Sequence, residues 1–230
     1  MEYLNSYADS RLVASCIYCG ARTETRDHCP SRILLDEPYP ENLPVVPACL
    51  ACNLSFSLDE EYFACVVECA RTGSIETVRR PKIARLLRER PSLAAMISGS
   101  RSTDDEKNIV FQADMQRARN IVLKLARGHA AHEANEILRH TPSHFMMTPL
   151  SSLDPAARQH FETVPASAIW PEVGSRAMQR LIIRGKDVTE GGWIEVQPAN
   201  YRYFVVAEGP VMVRFVLTEY LACEVIWDYE

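Results

Sequence analysis

The chain has no run approaching the eighteen or so consecutive apolar residues of a membrane span. Its opening stretch, Met1 to Val13, has no apolar leader core. A membrane partner and a secretory route are therefore not expected, and the cytoplasm is the default compartment. There is no internal repeat and no low-complexity linker, so any boundary has to come from changes in residue pattern. Positive charge is also in short supply. The net charge of −5 does not advertise a nucleic-acid binder, and there are only 4 Lys beside 21 Arg.

The charge is unevenly distributed. Residues 1–60 hold four Arg against nine acids, and residues 141–230 seven basic residues against eleven acids. Residues 61–140 reverse this, with fourteen basic residues against ten acids. Local fields decide an encounter with DNA or RNA, so the overall sign argues only weakly against one. An arginine-rich basic set also suits bidentate phosphate contacts.

Eight cysteines in 230 residues could form a secreted disulfide framework. Four of them fall in two Cys-x-x-Cys pairs, Cys16–Cys19 and Cys49–Cys52, a spacing that favours reduced thiolates on zinc. Cys29, Cys65, Cys69 and Cys223 are expected to be small buried hydrophobes.

Several prolines between the knuckles, from Pro30 to Pro47, keep that stretch out of long helices. Residues 12–19 and 43–48 read as short strands or knuckle flanks. From Asp59 the pattern turns helical through Tyr62, Phe63, Val66, Val67 and Ala70, with Gly73 as a stop. A second helical stretch, 79–97, is broken at Pro91 and carries Arg79, Arg80 and Arg85. Thr103-Asp-Asp-Glu106 has the form of a capping box opening a long helix, with an interruption at Gly128. The last fifty residues read as strands at 180–184, 193–197, 201–207, 211–218 and 222–227, with a hairpin turn at Glu208-Gly209-Pro210. The order is a zinc module over 1–65, a helical region over 66–145 and a β-rich region over 146–230. The expected class is α+β, with an antiparallel β C-terminal region.

Four thiolates close a tetrahedral zinc site and leave no open position for chemistry. Such a zinc would pin the ends of the intervening segment, and any reaction would use residues inside the clamp. Those are Asp27, His28 and Asn42, with Asn53 directly after the last cysteine. Elsewhere, His129 and His132 share a helix face and could hold a metal, although packing is the simpler reading. Trp193, Tyr201, Tyr203, Phe204, Phe215 and Trp227 could stack bases, but aromatics in a β-rich region more often form core.

The order Cys-x-x-Cys, Asp27-His28, Pro30, Asn42-Leu43, Cys-x-x-Cys-Asn53 resembles the zinc-containing branch of the HNH endonuclease superfamily. The resemblance covers about residues 12–65. It implies a ββα-metal module with His28 as general base and Asn42 tying the hairpin loop. It also implies Mg²⁺ or Mn²⁺ held by Asp27 and Asn53, and zinc on Cys16, Cys19, Cys49 and Cys52. The chain departs from the family after the second knuckle, where many members carry a basic residue and this one reads Asn53-Leu-Ser-Phe56-Ser57. Phosphate contacts would then come from Arg26, Arg32, Arg79, Arg80 or Arg85. The expected activity is phosphodiester cleavage of nucleic acid, DNA in the first instance, in a restriction or phage-defence setting. A homodimer or a regulatory protein partner is left open, as is a nuclease silent until a partner binds. The alternative from another class is a non-catalytic zinc-binding adaptor.

Overall fold

The computed structural model describes residues 14–40, 43–165, 189–190 and 192–228. Strand β1 (Thr25–His28) pairs antiparallel with β2 (Val45–Ala48), His28 opposite Val45. Helix α1 (Leu50–Thr72) follows β2 almost directly and ends on Gly73, whose φ of 86° suits a residue with no Cβ. The helix starts earlier than the expected pattern because its first nine residues, Leu50–Leu58, bury no side chain fully, and their leucines, Leu50, Leu54 and Leu58, face solvent and not the core.

Helices α2 (Pro81–Glu89) and α3 (Pro91–Gly99) are separated at Arg90, each with a proline in its first turn. The expected helix opening at Thr103 is not there. Strands β3 (Arg101–Thr103) and β4 (Ile109–Phe111) form a hairpin instead. The Asp104 carboxylate accepts from the backbone N–H of Glu106 and Asn108, so the signature that resembles a capping box caps a turn. The long helix α4 (Met115–Ala134) starts later, with Asp114 accepting from the N–H of Gln116 and Arg117.

Helix α4 also runs through Gly128 without a break. A Cβ there would lie 2.6 Å from Cys29 Sγ, so glycine allows the segment after β1 to press against the helix. The Cys29 thiol points at the Leu125 carbonyl across the same contact. Cys29, Cys65, Cys69 and Cys223 are all buried, as their expected packing role requires.

The C-terminal part is a six-stranded antiparallel sheet. Its strands are β5 (His144–Pro149), β6 (Thr189–Glu190), β7 (Trp193–Gln197), β8 (Tyr201–Val206), β9 (Val211–Leu217) and β10 (Leu221–Trp227), in the order β5-β10-β9-β8-β7-β6. Helix α5 (Pro155–Glu162) lies between β5 and β6 in the chain. The strand expected at 180–184 lies outside the described residues. Gly209, with φ 84°, makes the β8–β9 turn where it was expected. The class is α+β.

The sheet is buried on both faces, which alternation along the strands explains. Tyr201, Tyr203, Val213 and Phe215 face the main core with Phe63, Ile121 and Leu125 from the helices. Phe204, Val216 and Ala222 face a smaller cluster with Trp193 and Phe161 of α5. The aromatic residues considered for base stacking are therefore core.

Helix α4 is the shared wall. Its Cys29-facing side carries the N-terminal hairpin. Elsewhere on it, His129 bonds Tyr201 at 2.7 Å and stacks on Tyr203 with ring centroids 3.7 Å apart, which gives that histidine a packing role.

Gly128→Ala gains helix propensity of about 1 kcal/mol but forces a clash, with overpacking costing roughly 1–3 kcal/mol. It should lower Tm by several degrees, and Gly128→Ala/Cys29→Ala should recover most of the loss. Equal Tm for the single variant and wild type in a thermal melt would contradict the packing assignment.

Candidate zinc site and the Asp27–His28 centre

The first Cys-x-x-Cys forms a tight turn closed by Cys16 N–H to Ala21 O and Gly20 N–H to Cys16 O. The second sits where β2 becomes α1, and Cys49 is the N-cap, its sulfur accepting from the Cys52 N–H. Antiparallel pairing of β1 with β2 brings the two turns together, and Cys19 and Cys49 Sγ lie 3.6 Å apart. All four sulfur atoms lie within 4.8 Å of one another, the one such cluster of ligating groups among the described residues. Tetrahedral Zn–S bonds of ~2.3 Å put sulfurs ~3.8 Å apart, so this set fits a structural zinc ion.

The thiol energetics agree. Burial resists ionisation of Cys16, yet backbone N–H groups of Cys49, Cys19 and Tyr18 bring its pKa down to about 7. Burial and the neighbouring thiols push Cys52 the other way, because thiols this close compete for negative charge. Arg139, just past α4, ties the first knuckle to the body through a 2.9 Å bond to the Cys16 carbonyl.

Asp27 and His28 lie on opposite faces of β1 by strand alternation. Asp27 faces inward and is buried. Its Oδ2 accepts from Tyr18 Oη at 2.8 Å and its Oδ1 from Lys124 Nζ of α4 at 3.0 Å. Lys124 also bonds Ser31 Oγ at 2.8 Å and, at short range, the Glu60 carboxylate of α1. Ser31 Oγ donates to Glu60 at 2.5 Å. Burial pushes the Asp27 carboxyl above its ordinary range, against the pull of Lys124 and Tyr18 and with Glu60 adding to the rise. Burial also opposes the Lys124 charge, but Asp27 and Glu60 outweigh it and raise the ammonium pKa. Two carboxyl groups thus share one ammonium.

His28 is half-buried on the other face. Burial, and then the Arg32 guanidinium, hold its imidazole below the usual value, so it is neutral near pH 7. Asn53, in the first turn of α1, donates its side-chain N–H to Thr25 Oγ1 at 3.1 Å, on the Asp27 face of β1. Its amide oxygen accepts no hydrogen bond from the described residues. Asn42 lies outside the described residues.

For a divalent ion, Asn53 offers one oxygen, but Asp27 does not complete an open pair. Both of its oxygens are engaged, and the carboxylate is shut beneath Tyr18 and Lys124. The pair as arranged does not fit an open Mg²⁺ or Mn²⁺ site, which keeps several positions for water and substrate.

Arg26 and Arg32 are exposed on the His28 side of the hairpin. Arg79 is exposed as well, and Arg85 carries only a loose pair with Glu89 at 3.8 Å. Arg80 turns inward. Its guanidinium pairs with Asp36 at 2.8 Å, and Asp36 also accepts from Asn200 at 2.7 Å. Arg80 therefore fastens the inter-knuckle loop to the sheet, and its guanidinium is not free to meet phosphate.

Tyr39, not singled out by sequence, and Lys82, from the basic stretch that begins at Arg79, join Arg32. Tyr39 lies beneath the Arg32 guanidinium and the Lys82 ammonium, at 5.5 and 4.8 Å from the ring centroid. Lys82 also donates to the Arg32 carbonyl at 2.8 Å. Lys124, 97 positions from Asp27, is also missed, because nothing local sets it apart from other helical lysines. No family model, curated protein or solved structure matches the chain.

Metal analysis of the purified protein should find one zinc per chain. Cys16→Ser or Cys52→Ser should lose it and unfold the hairpin, since a site of this kind stabilises folding directly. Full retention of secondary structure after zinc is stripped would show that the clamp is dispensable.

Proposed function

We propose that this chain is a zinc-framed HNH-type endonuclease that cleaves phosphodiester bonds in nucleic acid, with His28 as general base. One observation carries the reading. The thiol cluster fastens the β1–β2 hairpin to the first turn of α1, gathering Asp27, His28 and Asn53 into one small unit in which His28 is neutral and partly open.

A neutral imidazole accepts a proton from water as the water oxygen attacks the phosphorus; the P–O bond to the leaving sugar oxygen breaks, and that oxygen takes up a proton from solvent. Arg32, whose charge reaches His28, and Lys82, held with it on Tyr39, supply positive charge for the phosphate oxygens. This basic group offsets the missing basic residue after the second knuckle. Asp27 orients the strand from beneath through Tyr18 and Lys124. Asp27 does not hold Mg²⁺ or Mn²⁺ in this reading, because Tyr18 and Lys124 occupy both of its oxygens.

A second reading has its own support. Leu50, Leu54 and Leu58, 48, 64 and 61 % exposed, repeat every fourth residue along α1. No charged residue lies between Leu50 and Leu58. An uncharged apolar stripe beside the zinc site suits a protein partner better than a phosphate backbone. Together with the closed Asp27, it favours a non-catalytic adaptor.

Supercoiled plasmid incubated with the purified protein and Mg²⁺ or Mn²⁺ separates the two. Nicking that drops about 10²–10⁴-fold in His28→Ala supports the nuclease. Silence of wild type and variant alike on plasmid, single-stranded DNA and RNA, with zinc bound, supports the adaptor. Binding gives a further check. Arg32→Ala and Lys82→Ala should each weaken nucleic-acid affinity and flatten the log K against log salt slope by roughly one. An unchanged slope would remove both residues from the interface.

A further inference from the structure

We infer that Lys124 is the resident cation of an oxygen pocket formed by Asp27, Ser31 and Glu60, holding the place that a divalent ion would otherwise take. An ammonium has three N–H donors, and Lys124 has three oxygen acceptors. They are Asp27 Oδ1 at 3.0 Å, Ser31 Oγ at 2.8 Å and the closely held Glu60 carboxylate. The acceptors come from β1, the loop after it and α1, while the lysine comes from α4. The pocket therefore exists only when the hairpin and both helices are assembled.

Its composition is that of a hard-cation site, with two carboxylates and a hydroxyl and no nitrogen or sulfur. The Ser31 proton points to Glu60, which leaves its lone pairs to Lys124. The Phe56 ring adds a cation–π contact, 5.4 Å from Nζ to the centroid. Lys124 is 2 % exposed, and Asp27 and Glu60 are 7 and 18 % exposed, so an added ion would have to displace the ammonium. Lys124 is thus a positioning residue for the Asp27–His28 strand, acting from helix α4. The inference concerns ion occupancy and holds for either functional reading.

The test uses the full-length, zinc-loaded protein, with Mn²⁺ binding read by electron paramagnetic resonance and stability by thermal unfolding. Wild type should show no Mn²⁺ site that depends on Asp27, so its titration should match that of Asp27→Asn. Lys124→Ala leaves the buried Asp27 and partly buried Glu60 carboxyls without a counter-charge and should lose roughly 10 °C in Tm. It should gain one Mn²⁺ site, Mn²⁺ should restore most of the lost Tm, and Lys124→Ala/Asp27→Asn should abolish that site. If Lys124→Ala does not fold alone, refolding with Mn²⁺ present becomes the readout. One Mn²⁺ bound by wild type and lost in Asp27→Asn overturns the inference. So does failure of Mn²⁺ to restore either binding or fold in Lys124→Ala. Cleavage plays no part in these readouts, so the nuclease reading stands or falls on its own assay.

Discussion

A buried ammonium has to find acceptors, and the rest of this structure is arranged around that need. Breaking such a cluster by removing one partner costs ~3–5 kcal/mol, because a charge is left behind without solvent. Lys124 meets the requirement only if β1, the loop carrying Ser31, and α1 close together against α4. The same helix seats Cys29 at Gly128 and stacks His129 on Tyr203. One helix therefore sets the position of the cysteine-framed hairpin and of the C-terminal sheet, and the main hydrophobic core runs through both.

Within this frame the thiol cluster and the ionic cluster divide the work. The thiols hold the ends of a proline-rich segment that has little core of its own. The ionic cluster fixes the face of β1 that points inward, which leaves the opposite face, with His28 and nearby arginines, toward solvent. Loop anchoring completes the arrangement. Asp36 is held by Arg80 and Asn200 and exchanges backbone bonds with the Gln197 side chain, so the segment between the knuckles is bound to the sheet as well as to the zinc site. The nuclease reading uses the solvent face, and the adaptor reading uses the exposed leucines of α1. Both need the same frame.

Features governed by neighbouring residues were legible in the sequence. The paired knuckles, the Gly73 stop, the break at Pro91 and the four long C-terminal strands all follow from spacing, backbone freedom or alternation. Features governed by distant partners were not. Asp104 caps a turn or a helix with the same chemistry, and the β-branched pair Ile109–Val110 that follows suits the strand observed there. Gly128 looked like a break because Cys29, its reason for being glycine, is far away in the chain. The fate of Asp27 depended on Lys124 and that of Arg80 on Asp36, and no local pattern announces either pairing.

In the proposed nuclease, His28 acts as a base at an open position on a strand pinned by the thiol cluster. Chemical rescue tests it most directly, with His28→Gly incubated with nucleic acid and graded concentrations of free imidazole. The account predicts that zinc content and fold are retained and that cleavage, lost in the variant, returns in proportion to imidazole. A folded, zinc-loaded His28→Gly protein that cleaves as fast as wild type without imidazole would contradict it.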